Sequence, residues 1–235
     1  VQMKKAFCSW SGGKDSCLAL YRALQQGFEV RYLLTMFDEE ADRSRSHAIS
    51  RELIEAQAKA LNIESVIAET SWQNYEKIFI ENLQKLNSRQ IAHGIFGDID
   101  LEPHREWEEK VCSAANIEAV LPLWLENRRK LVDEFWAEGF KAVVVCVNEN
   151  YLDSSFCGRV FDESFLVDLP ENVDACGENG EFHTFVFDGK IFKEAVNFEI
   201  AEIYRHETVS LSGDSIKYSY AKLELKKDDF SRAFS

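Results

Sequence analysis

Residues 5–27 read KAFCSWSGGKDSCLALYRALQQG, and this stretch decides the fold. Residues 5–10 make an apolar run of strand length, Ser11-Gly12-Gly13 is a turn, and residues 15–26 carry Cys17, Leu20, Tyr21 and Leu24 at helical spacing. Gly27 is suited to stop that helix. A strand that passes through a glycine turn straight into a helix is the opening unit of an alternating α/β chain.

The unit recurs downstream. Strands are expected at 30–36, 66–68, 91–96 and 119–121. Between them lie helices marked by Ile49, Leu53, Ala56 and Ala60, then by Tyr75, Ile78, Phe79, Leu83 and Leu86, and a third opened by Pro103 and ending near Ala115. Such alternation predicts an α/β fold: a parallel sheet with helices on both faces and a ligand site beyond its C-terminal strand ends. The turn 11–16 and the loop 97–105 both fall there. From about Leu125 the texture changes to a helix with Leu131, Val132, Phe135 and Trp136, a strand at 142–147, a loop-rich stretch and two hairpins. One hairpin is expected to turn at Asp188-Gly189 between Phe185-Val186-Phe187 and Ile191-Phe192. The other joins 208–211 to 216–225 through Ser212-Gly213-Asp214. The chain is therefore divided into residues 1–125 and a smaller α+β domain, residues 126–235.

The 235 residues carry 41 acidic and 27 basic side chains, a formal charge of -14. A surface this negative repels polyanions, so a nucleic-acid-coating role is disfavoured; the only basic cluster is Arg128-Arg129-Lys130. No run of eighteen apolar residues and no secretory pattern stand in the sequence, which points to a cytoplasmic protein without membrane partners. The six cysteines show no C-x-x-C pair and no zinc-type spacing, and most read as small buried hydrophobes, with Cys176 alone in loop-like, glycine-flanked surroundings.

At Ser11-Gly12-Gly13-Lys14-Asp15-Ser16, backbone N–H groups at a helix N-terminus can converge on an anion, with Lys14 adding a point charge and Ser11 and Ser16 adding hydroxyl donors. A Walker A loop is excluded because Cys8 replaces the first glycine and Asp15 follows the lysine; G-x-G-x-x-G is absent too. The plain alternative is a Gly-Gly turn before a helix capped by Asp15 or Ser16, with Lys14 solvated.

The hexapeptide, after the first strand of an alternating chain, resembles the PP-loop of the ATP pyrophosphatases. Gly97-Asp98-Ile99, Arg105, Glu109, Cys112, Leu123-Trp124 and the run from Cys176 to Phe182 (CGENGEF) extend the likeness, in order, to the diphthine-ammonia ligase family, bacterial-type branch. The resemblance implies a Rossmann-like PP-loop/HUP-type ATP-binding domain, a smaller substrate-binding domain and the cofactors ATP and Mg2+. It also implies the reaction: a carboxylate is adenylated at the expense of ATP, releasing pyrophosphate, and then amidated with ammonia. The family's acceptor is diphthine on elongation factor 2. Asn179, Phe182, His183 and Trp107 stand where members from diphthamide-making organisms commonly carry Gly, Tyr, Glu and Arg, and the loop 37–47 differs, so fold and ATP chemistry carry over and the acceptor stays open.

Within that frame Ser11, Gly12, Gly13, Lys14, Asp15, Ser16, Met36, Gly97 and Asp98 are the expected nucleotide contacts, with Met36 bordering adenine. Asp15 and Asp98 are the magnesium candidates, since hard oxygen ligands suit that ion. Lys14, Arg105, Glu178 and Glu181 are the expected catalytic residues. Arg105, Glu109 and Cys112, at i, i+4 and i+7, share one helix face expected to look into the cleft while Trp107, Val111 and Ala114 pack. Arg105 would grip a carboxylate or the α-phosphate; the alternative is an Arg105–Glu109 surface ion pair. Asp100 and Glu102 equally suit the next helix's N-terminus. Glu178 or Glu181 would remove a proton from the attacking amine, aided by His183, whereas Cys176 reads as structural. Arg43, Arg45 and His47 lie on a loop able to reach phosphate. The chain has no room for a glutaminase domain, so ammonia comes free or from a partner. Rival readings are a PP-loop RNA-modifying enzyme and a non-catalytic ATP/AMP-binding regulatory module. Exposed strand edges after Phe198 could make a homo-oligomer.

Overall fold

The structure is a computed structural model and describes residues 4–38, 44, 48–209 and 215–226. Arg43, Arg45, His47 and the Ser212-Gly213-Asp214 turn lie outside the described residues. Five parallel strands, β1 (Lys4–Ser9), β2 (Phe28–Asp38), β3 (Glu64–Thr70), β4 (His93–Ile95) and β5 (Glu118–Val120), form one sheet in the order β3-β2-β1-β4-β5. The helices between them are α1 (Lys14–Gln25), α2 (Arg51–Leu61), α3 (Tyr75–Ser88) and α4 (Glu102–Ala114). After β1 the chain builds outward to β3, then returns to add β4 on the other side. The switch point therefore lies between β1 and β4, where the loops after these two strands face each other.

Strand periodicity sets the two layers. Ala6 and Cys8 of β1 join the core shared with α1 and α2, whereas Phe7 points to the opposite face with Phe79 of α3 and Val111 and Cys112 of α4. Phe7 meets Phe96 edge-on at 5.9 Å between ring centres, and Phe96 in turn meets Phe79. Helices thus cover both faces, as expected for a parallel sheet.

The rest of the chain gives α5 (Arg128–Ala137), β6 (Lys141–Asn148), the short α6 (Glu163–Asp168), β7 (Phe182–Asp188), β8 (Phe198–Val209) and β9 (Ser215–Leu225). Its antiparallel sheet has the order β7-β6-β9-β8. The long β8–β9 hairpin pairs from Phe198 with Leu225 to Val209 with Ser215. The hairpin expected at Asp188-Gly189 does not form: Ile191 and Phe192 are not in a strand, and β7 pairs only with β6. The physical reason is that the free edge of β7 is already taken, with Val186 N–H donating to Gly12 O at 2.9 Å. The returning chain makes a single bond to β7, from Val196 N–H to Phe187 O at 2.7 Å, and then crosses to the far edge as β8. One hydrophobic cluster runs without a break from Leu20 and Leu53 to Phe135, Val144 and Phe185, joining both sheets through the α1–α2 face. No helix among the described residues is long and apolar enough to cross a membrane.

Candidate functional site

A cleft of about 340 Å³ opens at the C-terminal ends of the parallel strands, between the loops after β1 and β4 and the loop that leads into β7. It is lined by Ser11, Lys14, Asp15 and Ser16, by Met36 at the end of β2, by Gly97 and Asp98, and by Glu178 and His183. Loop 11–16, the end of β2, the loop after β4 and the segment around 178–183 thus meet at one place.

The loop 11–16 owes its shape to neighbours far away in the chain. Gly12 has φ +83°, a region that favours glycine, and a Cβ there would lie 2.8 Å from Gln57 Oε1. Gln57, fully buried on α2, donates through Nε2 to Gly12 O (3.0 Å) and Val186 O (2.6 Å) and accepts from Trp10 Nε1 at 2.9 Å. Among the described residues no side chain of the loop caps α1, which corrects the alternative in which Asp15 or Ser16 caps it; Thr184 Oγ1 of β7 instead accepts from Lys14 N–H at 3.0 Å. Ser11 and Ser16 hydroxyls lie 3.1 Å apart, and Ser11 Oγ accepts from Gly13 N–H. Gly97 allows the second loop to approach: a Cβ there would lie 2.9 Å from Asp15 C and Ser16 N.

Lys14 is buried, not solvated. Its Nζ lies 2.7 Å from Asp15 Oδ2 and 3.9 Å from Glu178 Oε1. Burial works against the ammonium charge, but Asp15, Cys176 and Glu178 more than compensate, so Lys14 stays protonated above the usual lysine range. Burial raises Asp15, with the Asp98 charge adding to it against the pull of Lys14. Burial and the charge on Asp15 push Glu178 up to about 8, against the attraction of Lys14 and Arg128. Asp15 and Glu178 thus crowd the Lys14 ammonium, and the Asp98 charge adds to the repulsion between them. Asp15 and Asp98, the expected magnesium ligands, both line the cleft, with both Asp15 oxygens accepting from Lys14 Nζ.

Two expected catalytic residues are placed elsewhere. Glu181 is buried and spent on its own loop: its carboxylate accepts from the backbone of Asp174 (3.1 Å) and Asn179 (2.9 Å) and from the Asn179 side chain. It fixes the loop that presents Glu178 and does not line the cleft. Arg105 also lies off the cleft lining; it pairs with Glu102, approaches Glu109 at 3.9 Å and lies over the Trp124 ring at 5.1 Å. The helix phase differs from expectation. The inward face of α4 is Glu108, Val111, Cys112 and Ala115, so Cys112 is core, Glu109 is exposed and Ala114 does not pack. Trp107 does pack, against Tyr75 and Phe79. Asp100 holds Arg128 rather than an exposed helix end.

Sequence reasoning passed over Glu108, whose carboxyl burial and a hydrogen bond to Asp98 push up to about 11. On its other side Asp98 meets His104 Nδ1 at 2.7 Å. The uncommon signal was an acid one turn before two apolar helix positions, 111 and 112. The thiol of Cys176 is buried, raised to about 12 chiefly by that burial, and donates to Arg128 O at 3.1 Å, so it is structural. All six cysteines are buried and free, and no cluster of metal-ligating side chains occurs among the described residues.

A diphthamide synthase N-terminal domain model matches residues 3–119, and the corresponding C-terminal domain model matches residues 127–217. The chain belongs to the diphthamide synthase family. It is an enzyme of that family's ligase type. The diphthine–ammonia ligase of Bos taurus is 25% identical over 222 residues, 83% of each chain, and that of Homo sapiens is 25% identical over 223 residues with the same coverage. A solved structure described as a predicted subunit of tRNA methyltransferase from Methanocaldococcus jannaschii is 19% identical with a TM-score of 0.41, covering 60% of this chain and 80% of that one. That likeness is weak and adds nothing to the fold seen in the chain itself.

Proposed function

We propose that this diphthamide synthase family member uses ATP to activate a substrate carboxylate as its adenylate and then amidates it with ammonia. The observation that carries the reading is the convergence, in one cleft, of the glycine-turned loop 11–16, the buried Lys14 ammonium, and Glu178. In this reading residues 1–125 bind the nucleotide and residues 126–235 present the acceptor. The pyrophosphate end lies over the 11–16 loop, where Lys14 and the start of α1 face its charge, and Met36 borders the base. Asp15 and Asp98 would hold Mg2+, which when bound screens the phosphate charge.

Chemistry then proceeds in two balanced steps. A carboxylate oxygen attacks the α-phosphorus and the bond to the pyrophosphate oxygen breaks. Ammonia next attacks the acyl carbon, the bond to AMP breaks, and the nitrogen gives up a proton. Glu178, whose carboxyl burial and the Asp15 charge push up to about 8, receives that proton when ionised, a form that gains weight as pH rises towards 8. Glu181 and Arg105 keep indirect roles, as the organiser of the Glu178 loop and as a brace on Trp124. Ammonia arrives free or from a partner, and the reaction takes place in the cytoplasm.

The test is incubation of purified protein with magnesium-ATP, ammonium and diphthine-bearing elongation factor 2, with AMP and pyrophosphate followed. Ammonium-dependent AMP formation is expected, lost in Lys14→Ala. ATP binding without AMP formation with this or any other carboxylate would instead favour a nucleotide-binding regulatory module.

A further inference from the structure

Arg128 occupies a position that local helix physics disfavours. It is the first residue of α5, followed by Arg129 and Lys130, and the first turn holds no acidic residue. Cations at a helix N-terminus face the positive end of the dipole. Something outside the helix must compensate, and the contacts of Arg128 show what does.

Its guanidinium spans two loops. Nε and Nη2 donate to the two carboxylate oxygens of Asp100 at 2.8 and 2.7 Å, while Nη1 donates to Asp174 Oδ2 at 3.0 Å. That Asp174 oxygen also accepts from Glu178 N–H at 3.0 Å, and Arg128 O accepts from Cys176 Sγ. Asp100 sits two residues beyond Asp98 on the nucleotide side, and Asp174 sits at the start of the loop carrying Glu178. A planar fork can serve both carboxylates at fixed angles; an ammonium cannot.

We infer that Arg128 is a positioning residue which couples the loop 97–101 to the loop 174–181, fixing Glu178 relative to Asp98 across the cleft. The inference rests on the proposed nucleotide site. Its consequence is that ordering of loop 11–16 by nucleotide, passed to loop 97–101 where Gly97 packs against Asp15 and Ser16, is transmitted to the Glu178 loop through Asp100, Arg128 and Asp174.

Hydrogen exchange of the full-length protein, with and without magnesium and the α,β-methylene analogue of ATP, tests it. In the unaltered chain the analogue is expected to slow exchange in both 11–16 and 174–181. In Arg128→Lys and in Asp100→Asn the protection of 11–16 should persist, whereas that of 174–181 should fall at least roughly tenfold, about 1.4 kcal/mol. An effect of Asp100→Asn on 174–181 is telling, because Asp100 belongs to the other loop and keeps its size in the variant. Unchanged exchange and protection at 174–181 in both variants would overturn the coupling. Failure of the analogue to protect 11–16 in the unaltered chain would instead refute the nucleotide site, and the exchange rates of 174–181 without analogue would still decide whether Asp100 holds that loop.

Discussion

The two sides of the cleft are held in place by different physics. The loop 11–16 is fixed by neutral, buried hydrogen bonds that converge largely on backbone: Gln57 on Gly12 and Val186, Thr184 on Lys14 N–H, and Val186 N–H on Gly12 O. The loops 97–101 and 174–181 are fixed largely by charged side chains, Arg128 with Asp100 and Asp174, and Glu181 with Asn179, some partly open to solvent. Neutral buried bonds ignore salt and pH but are costly to leave unmade. Charged, half-exposed ones adjust to conditions. In the proposed function the contrast suits a fixed phosphate cradle facing an adjustable chemical wall.

The largest effect is expected at Gln57. Gln57→Leu orphans the Trp10 indole N–H and removes the side-chain donor to Gly12 O and Val186 O; orphaned buried groups cost ~1–3 kcal/mol each, so the loss should be about 3 kcal/mol in denaturant unfolding. If stability is unchanged, the phosphate loop is not held as described. Second comes Glu178. Its folded carboxyl is raised to about 8, above the ordinary value of 4.5. Between these values the unfolded chain has released the proton that the folded chain keeps, so stability falls as pH rises through this window. Glu178→Gln should flatten that decline and gain relative stability towards pH 8; parallel pH profiles for the two proteins would show that Glu178 is not buried as drawn. The smallest effect separates the two sides directly. In about 1 M salt, where the screening length is ~3 Å, hydrogen exchange should quicken in 174–181 and stay unchanged in 11–16. Equal responses would erase the distinction.

The parallel half was legible because its signals are local. A strand, a Gly-Gly turn and an amphipathic helix fall within 23 residues, and their repetition fixes the sheet. Met36, Gly97 and Asp98 reach the cleft because they stand at or just past the C-terminal ends of strands that the sequence marks. The failures are long-range or a matter of phase. Residues 185–192 look like a hairpin in isolation, but in the fold Val186 is bonded to Gly12, far away in the chain. Glu108 and Glu109 differ by 100° around α4, and what turns Glu108 inward is the packing of Val111 and Cys112 against Phe96 and Phe79, not a feature of the acids themselves. Glu178 and Glu181 are equal in the sequence; the turn at Gly180 sends one to the cleft and the other to backbone amides. Gln57 and Arg128 carried no motif, since their partners lie 129 and 46 positions away.

The bond from Lys14 N–H to Thr184 joins residues 170 apart, and this has a meaning in time. During synthesis loop 11–16 is made well before the hydroxyl that caps its helix, 170 residues later, and the Val186 carbonyl that shares Gln57 with it. A nascent chain can complete its parallel sheet and still have an unfinished anion cradle. If the proposed reading holds, ATP finds no competent site on a partly made molecule, and chains released before Val186 should not bind it.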